Sequence, residues 1–171
     1  MRERTQNIKL SASLLAGTAF LILVITAAPV AFAASPHFIG TPTVSKSSSG
    51  ALTVSFKAAG VGNVATGAFL TASEVSANLQ CVNPGGSSPP PKTATFGPET
   101  GPTTQITPRN GQITGSATLQ PPSQEQLRAA ADCPNPNWTV KTLSITYTDV
   151  VLHIQQNQQD ILTFNAGTVD P

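Results

Sequence analysis

Two cysteines and two histidines are the residues of this chain best suited to chemistry. Cys81 and Cys133 are its only cysteines, and His37 and His153 its only histidines. An even cysteine count reads as a disulfide where a chain leaves the reducing cytosol, and the N-terminus of this one argues that it does. Zinc usually takes four ligands, and neither thiol has a histidine pair near it. A structural bridge is therefore the expectation, with no metal and no other cofactor. Closing a loop of this length stabilises a fold by about 4 kcal/mol in the chain-entropy account.

His153 follows Asp149 closely, so a Ser-His-Asp reading can be assembled from them. Geometry defines such a triad, however, and no Gly-x-Ser-x-Gly elbow marks a nucleophile. On a strand His153 falls on the outward face with Val151 and Gln155, which makes it a plain surface residue. His37 stands close to the expected mature N-terminus and reads the same way. No catalytic residue is assigned. The acids after residue 33 form no close pair of the kind glycoside hydrolysis needs, and no Asp-rich loop has calcium spacing. Gly60, Val61, Gly62 and Asn63 look like a phosphate loop, but Thr66 onward reads as strand where a helix N-terminus would be required. They are a turn. Asn137-Trp138-Thr139 fits the N-glycosylation pattern. Trp138 is expected to plug the core beside the disulfide; were its ring exposed, it would be a platform for a sugar or peptide and the one candidate ligand contact.

These residues sit behind a leader. Arg2, Arg4 and Lys9 are followed by an apolar run from Leu10 to Phe32, and Ala31-Phe32-Ala33 has the small-x-small pattern at which signal peptidases cut. Residues 1–33 are expected to be a signal peptide, cleaved between Ala33 and Ala34, and residues 34–171 a single exported domain. A run of about 20 apolar residues also suffices to span a bilayer, so an uncleaved leader would tether the domain to the membrane. Pro29 and the small residues around Ala33 favour cleavage. No cysteine stands directly after the run, which argues against a lipid on a mature N-terminal Cys.

Beyond residue 33 the chain carries six basic side chains against seven acidic ones. Such a scattered, nearly neutral set has no footprint for nucleic acid or for anionic lipid. Partners are expected at the cell exterior or among extracellular molecules.

Most of the apolar mass beyond the few aromatics is Val, Ile, Leu and Ala, set among many Thr and Ser, which suits strands. Leu52, Val54 and Phe56 alternate with polar neighbours, as do Val75, Ala77, Leu79 and Cys81, and again Ile113, Ala117 and Leu119; antiparallel strands with one wet face give this pattern. The longest segment covers residues 139–155. Its apolar positions are odd at Leu143, Ile145 and Tyr147 and even at Val150, Leu152 and Ile154, so a β-bulge is expected at residues 148–150. Residues 155–160 read as a polar hairpin loop, followed by a last strand at 161–166 with Leu162 and Phe164 inward. Shorter strands are expected at 38–44, 66–71 and 93–96. Asn110-Gly111 signals a type I′ hairpin, residues 83–91 a long Pro-Gly loop. One short helix through Ala131 is expected after Ser123, with Gln126 completing a capping box. The fold class is all-β: a single antiparallel β-sandwich, immunoglobulin-like in outline, of about seven or eight strands with one short helix and one disulfide. The antibody arrangement itself is absent, because Trp138 follows both cysteines.

The Gly-Val-Gly-Asn turn at Gly60, the Cys-x-Asn-Pro-Gly-Gly segment from Cys81 and the Cys-Pro-Asn-Pro-x-Trp segment from Cys133 resemble a pattern in small secreted β-rich prokaryotic proteins. The resemblance implies export, a β fold and the disulfide, and it transfers no catalytic residue. The leading expectation is a non-enzymatic binding or interaction domain of the cell exterior. The competing ones are a secreted enzyme whose site is assembled from distant residues, with His153 and Asp149 as its candidates, and a structural component that self-associates through sheet edges.

Overall fold

A computed structural model describes residues 35–170. The expected leader and the cut between Ala33 and Ala34 lie outside the described residues. The chain forms an all-β sandwich of two antiparallel sheets.

The smaller sheet is built on β3 (Leu52–Ala59), with β9 (Gln112–Leu119) along one side. Its other side carries β2 (Thr43–Lys46) and then β1 (His37–Phe38). The single strand expected at 38–44 is thus two, separated at Gly40, whose φ of 73° suits glycine. Leu52, Val54, Phe56 and Ala58 point inward, as the alternation requires.

The larger sheet is organised by two long runs. β4 (Thr66–Ala72) and β5 (Glu74–Val82) lie end to end against β10 (Thr139–Gln156), with Ser73 between them. β6 (Lys92–Phe96) flanks β5, and the short β7 (Glu99–Thr100) and β8 (Thr104–Ile106) flank β4. β11 (Gln159–Val169) covers the opposite side of β10, but only from Tyr147 to Gln156. Residues 139–146 of β10 therefore have a partner on one side and an open edge on the other.

Both long runs change face at the same place. Ala68, Leu70 and Ala72 are buried before Ser73, and Val75, Ala77 and Leu79 after it. On β10, Ile145 and Tyr147 are buried before Asp149, and Val150, Leu152 and Ile154 after it. Asp149 has φ 50° and the ladder shifts there, which is the bulge expected at 148–150. A second shift was not expected: the ladder also slips between Thr142 and Ser144. Val140 and Thr142 face inward opposite Cys81 and Leu79, and the extra residue at the slip turns Leu143 out, leaving it 42% exposed. The reading of Leu143 as an inward partner of Ile145 is corrected accordingly, because one added residue inverts every side chain beyond it.

Local chemistry sets the ends of these elements. Asn110 (φ 51°) and Gly111 (φ 72°) form the two-residue turn between Arg109 and Gln112. The polar loop expected at 155–160 is shorter than that. Asn157 and Gln158, both at positive φ, make a two-residue turn, so Asp160 belongs to β11. The helix α1 (Gln124–Ala131) starts at the Ser123 cap: Gln126 N donates to Ser123 Oγ at 3.2 Å, and Ser123 N donates to Gln126 Oε1 at 2.7 Å. Leu127 and Ala131 are its buried residues.

The two sheets are fastened across the core. Tyr147, fully buried, donates its hydroxyl proton to Gly50 O at 2.8 Å in the β2–β3 turn. Lys46 Nζ donates to Ile145 O at 2.7 Å. Phe38 and Phe164 meet edge to face with centroids 6.2 Å apart, closing the side where β1 and β11 run.

Candidate functional site

The open edge of β10 forms one wall of a groove. Opposite stands the β2–β3 turn, Ser47 to Gly50, and the end is closed by Pro121, Pro122 and the first turn of α1. The cavity has a volume of about 560 Å3, within the usual range for small-molecule sites. Its apolar lining comes from Leu127, Val140, Leu143 and Ile145, and its hydroxyls from the serines of the turn with Thr142 and Ser144. Among the described residues Lys46 is the one charged residue that lines it. Burial lowers the Lys46 ammonium from its ordinary pKa, with the charge of Asp170 opposing the shift. The groove exists because of two sequence features: the slip at Leu143 breaks the β10 edge, and Gly50, at φ 90°, lets the turn approach Ile145.

A second cluster lies on the outer face of the larger sheet. His153 Nδ1 lies 2.8 Å from Asp160 Oδ2, and His153 Nε2 lies 3.1 Å from Thr71 Oγ1. The Phe69 ring stacks on the imidazole at 4.8 Å and 7°. Burial pushes the Asp160 carboxyl up, but hydrogen bonds with His153 and Gln155 and the charge of the imidazole outweigh it and leave it below its ordinary value. Hydroxyl, imidazole and carboxylate thus stand in the order of a nucleophilic relay. None of the three lines the groove or the hollow of about 360 Å3 between the Gly60 and Asn110 turns.

The expected site residues fall as follows. Cys81 and Cys133 are bonded to each other, with Cα atoms 5.7 Å apart, and the bridge joins the end of β5 to the segment leaving α1. Trp138 is half-buried and packs against the core margin, between the expected plug and an exposed platform. Its carbonyl and that of Pro136 accept from Arg128 Nη2. The pairing of His153 with Asp149 is corrected. Asp149 Oδ2 accepts from Ser73 Oγ at 3.0 Å, and the carboxylate of His153 is that of Asp160, which the short turn places in the adjoining strand. His37 Nδ1 lies 2.9 Å from Ser35 O. Asn137 is exposed. The turn from Gly60 leads into β4, as expected. Among the described residues no group of three His, Cys, Asp or Glu side chains converges on one point, and no helix is long and apolar enough to cross a membrane.

Sequence reasoning missed Lys46, Leu143, Thr71 and Asp160. The groove left one trace in the sequence, Val140 falling out of phase with Leu143 and Ile145.

No family model matches the sequence, and no curated protein matches it. Among solved structures, 80% of the chain aligns with the β-glucosidase DesR from Streptomyces venezuelae, in complex with D-glucose, at 21% identity and a TM-score of 0.30. The chain spans 15% of that chain's length. A likeness of this size carries no inference about fold or activity.

Proposed function

We propose that this chain is an exported, non-enzymatic binding domain that acts at the cell exterior through the groove between the Gly50 turn and α1. The observation that carries the reading is Leu143. A large apolar side chain is held 42% exposed on the wall of the groove, beside a stretch of strand that is paired on one side and open on the other. Exposed apolar surface in a concavity is what a binding site needs and what a solvated sheet face avoids. The bridge between Cys81 and Cys133 supports an oxidising destination, as does the leader-like N-terminal sequence. The Cys-x-Asn-Pro-Gly-Gly and Cys-Pro-Asn-Pro-x-Trp resemblance to secreted prokaryotic proteins points the same way.

The relay of Thr71, His153 and Asp160 favours a second reading, a secreted hydrolase. Its hydroxyl lines neither the groove nor the hollow beside the Gly60 turn, so neither of these would hold a substrate against it. Assembly through sheet edges is disfavoured by the β10 edge itself, since a bulge at Leu143 and a lysine bonded to Ile145 O are two devices that block edge pairing.

The test uses the full chain in cells that export it. The protein recovered outside should begin at Ala34 and be retained on the surface of those cells. Leu143→Glu should release it, whereas His153→Ala should not. Release by His153→Ala with Leu143→Glu silent, or retention of the chain in the cytosol, would overturn the reading.

A further inference from the structure

Among the described residues, no carboxylate makes contact with the cation that lines the groove. The Lys46 ammonium has three N–H donors, and Ile145 O is the acceptor it has among the described residues. Among those residues the one salt bridge joins His153 to Asp160, so no carboxylate closes on Lys46. Asp170 acts on it through charge and not through contact. Among the described residues no acidic side chain lines the cavity. Of the residues that line the cavity, Leu127, Val140 and Leu143 are apolar, while Ser47, Ser48 and Ser49, next to Lys46 in the chain, offer hydroxyls, as do Thr142 and Ser144.

A partly desolvated cation with donors to spare favours an anion, since hydrogen bonds to charged groups are shorter and stronger than neutral ones. An apolar wall favours a hydrocarbon body. We infer that the groove binds a small amphipathic carboxylate, its head on Lys46 and its apolar body along Leu127, Val140 and Leu143. The inference rests on the binding reading given above and names the ligand class for that site. A second copy of the chain is a poor fit, because the bulge and Lys46 interrupt the edge that it would have to extend.

The probe is decanoate, titrated at pH 7 into the exported, isotope-labelled chain below its micelle concentration. Decanol and decyltrimethylammonium serve as controls with the same tail. Decanoate should shift, saturably, the amide signals of residues lining the groove, and bind about tenfold or more tightly than decanol. Lys46→Met should bring decanoate down to the level of decanol, and Lys46→Arg should keep the preference. Should Lys46→Met fail to fold, the decanoate-to-decanol ratio of the native chain and of Lys46→Arg decides.

Equal binding of decanoate and decanol overturns the inference, as does tighter binding of the cationic probe, saturation at residues outside the groove, or saturation of the groove only by a carboxylate-bearing peptide. Failure here is separable from failure of the function. If Leu143→Glu releases the chain from its cells while decanoate leaves the groove untouched, the ligand class is wrong and the binding site stands.

Discussion

Ser73 and Asp149 face each other across the two longest runs of the molecule, with Ser73 Oγ donating to Asp149 Oδ2 at 3.0 Å and Ser73 N donating to Thr148 O at 3.0 Å. This contact holds the point at which both runs exchange inner and outer faces. Without the break at Ser73 and the bulge at Asp149, the apolar positions on one half of the larger sheet would turn to water.

Asp149 is held at φ 50°, a conformation that Asn tolerates and Ala resists. Asp149→Ala should lose both the hydrogen bond and the tolerance, at a cost of about 1–3 kcal/mol. Asp149→Asn should stay within about 0.5 kcal/mol of the native chain, because its amide oxygen still accepts from Ser73. Urea unfolding of both variants gives the comparison. An Ala variant as stable as Asn would mean that the bulge is set by packing alone.

How much of this was legible follows from the range of each signal. The bulge at Asp149, the Asn110-Gly111 turn and the Ser123 cap are written in neighbouring residues, where alternation, left-handed conformers and capping geometry act over a few positions. The slip at Leu143 is hidden because Val140 and Thr142 make only a weak inward pattern, while Leu143 fits the odd phase of Ile145 and Tyr147. The groove needs three segments distant in sequence, Lys46, Pro121 and Leu143, to meet. Likewise, Asp160 reaches His153 only because Asn157 and Gln158 turn in two residues, and no propensity marks Gln158 for positive φ. Thr71 meets His153 through a strand pairing that alternation cannot specify.

Tyr147 is the only tyrosine, so alkaline difference absorbance reports one group. Burial, and then the charge of Glu99, raises its pKa to about 12. A group raised in the folded state stabilises fully below its unfolded pKa, about 10, and that contribution is lost as pH climbs from there through about 12. The native chain should therefore lose stability across this alkaline window. Tyr147→Phe should flatten that loss while costing about 1–3 kcal/mol at pH 7, since it leaves Gly50 O without its donor. A phenol titrating near its ordinary value would show that the β2–β3 turn stands off the core in solution.

The contact between His153 and Asp160 should make part of the stability depend on acid. The Asp160 carboxyl is depressed, so its contribution is present above the ordinary carboxylate pKa and is lost as pH falls through the lower folded value. Asp160 is 36% exposed, and screening holds the pair to less than about 1 kcal/mol. Asp160→Asn should be slightly less stable than the native chain near neutrality and match it in strong acid. Thermal melts from pH 7 downward measure the convergence. A gap that persists in strong acid would assign the role of Asp160 to strand packing.

Gly40 and Gly50 separate backbone strain from crowding within one sheet. Both hold positive φ, 73° and 90°, so an alanine at either is strained by about 1–2 kcal/mol. At Gly40 an added Cβ meets nothing within 4 Å. At Gly50 it meets Ile145 Cδ1 at 2.7 Å, and the turn that would have to move carries the carbonyl bonded to Tyr147. Gly40→Ala should show the strain alone. Gly50→Ala should cost more in urea unfolding, and because lifting the turn admits water to the phenol, it should also bring the Tyr147 titration down toward its ordinary value. Equal costs with an unmoved phenol would mean that the Ile145 side chain simply rotates aside, leaving the groove wall and the core fastening independent of each other.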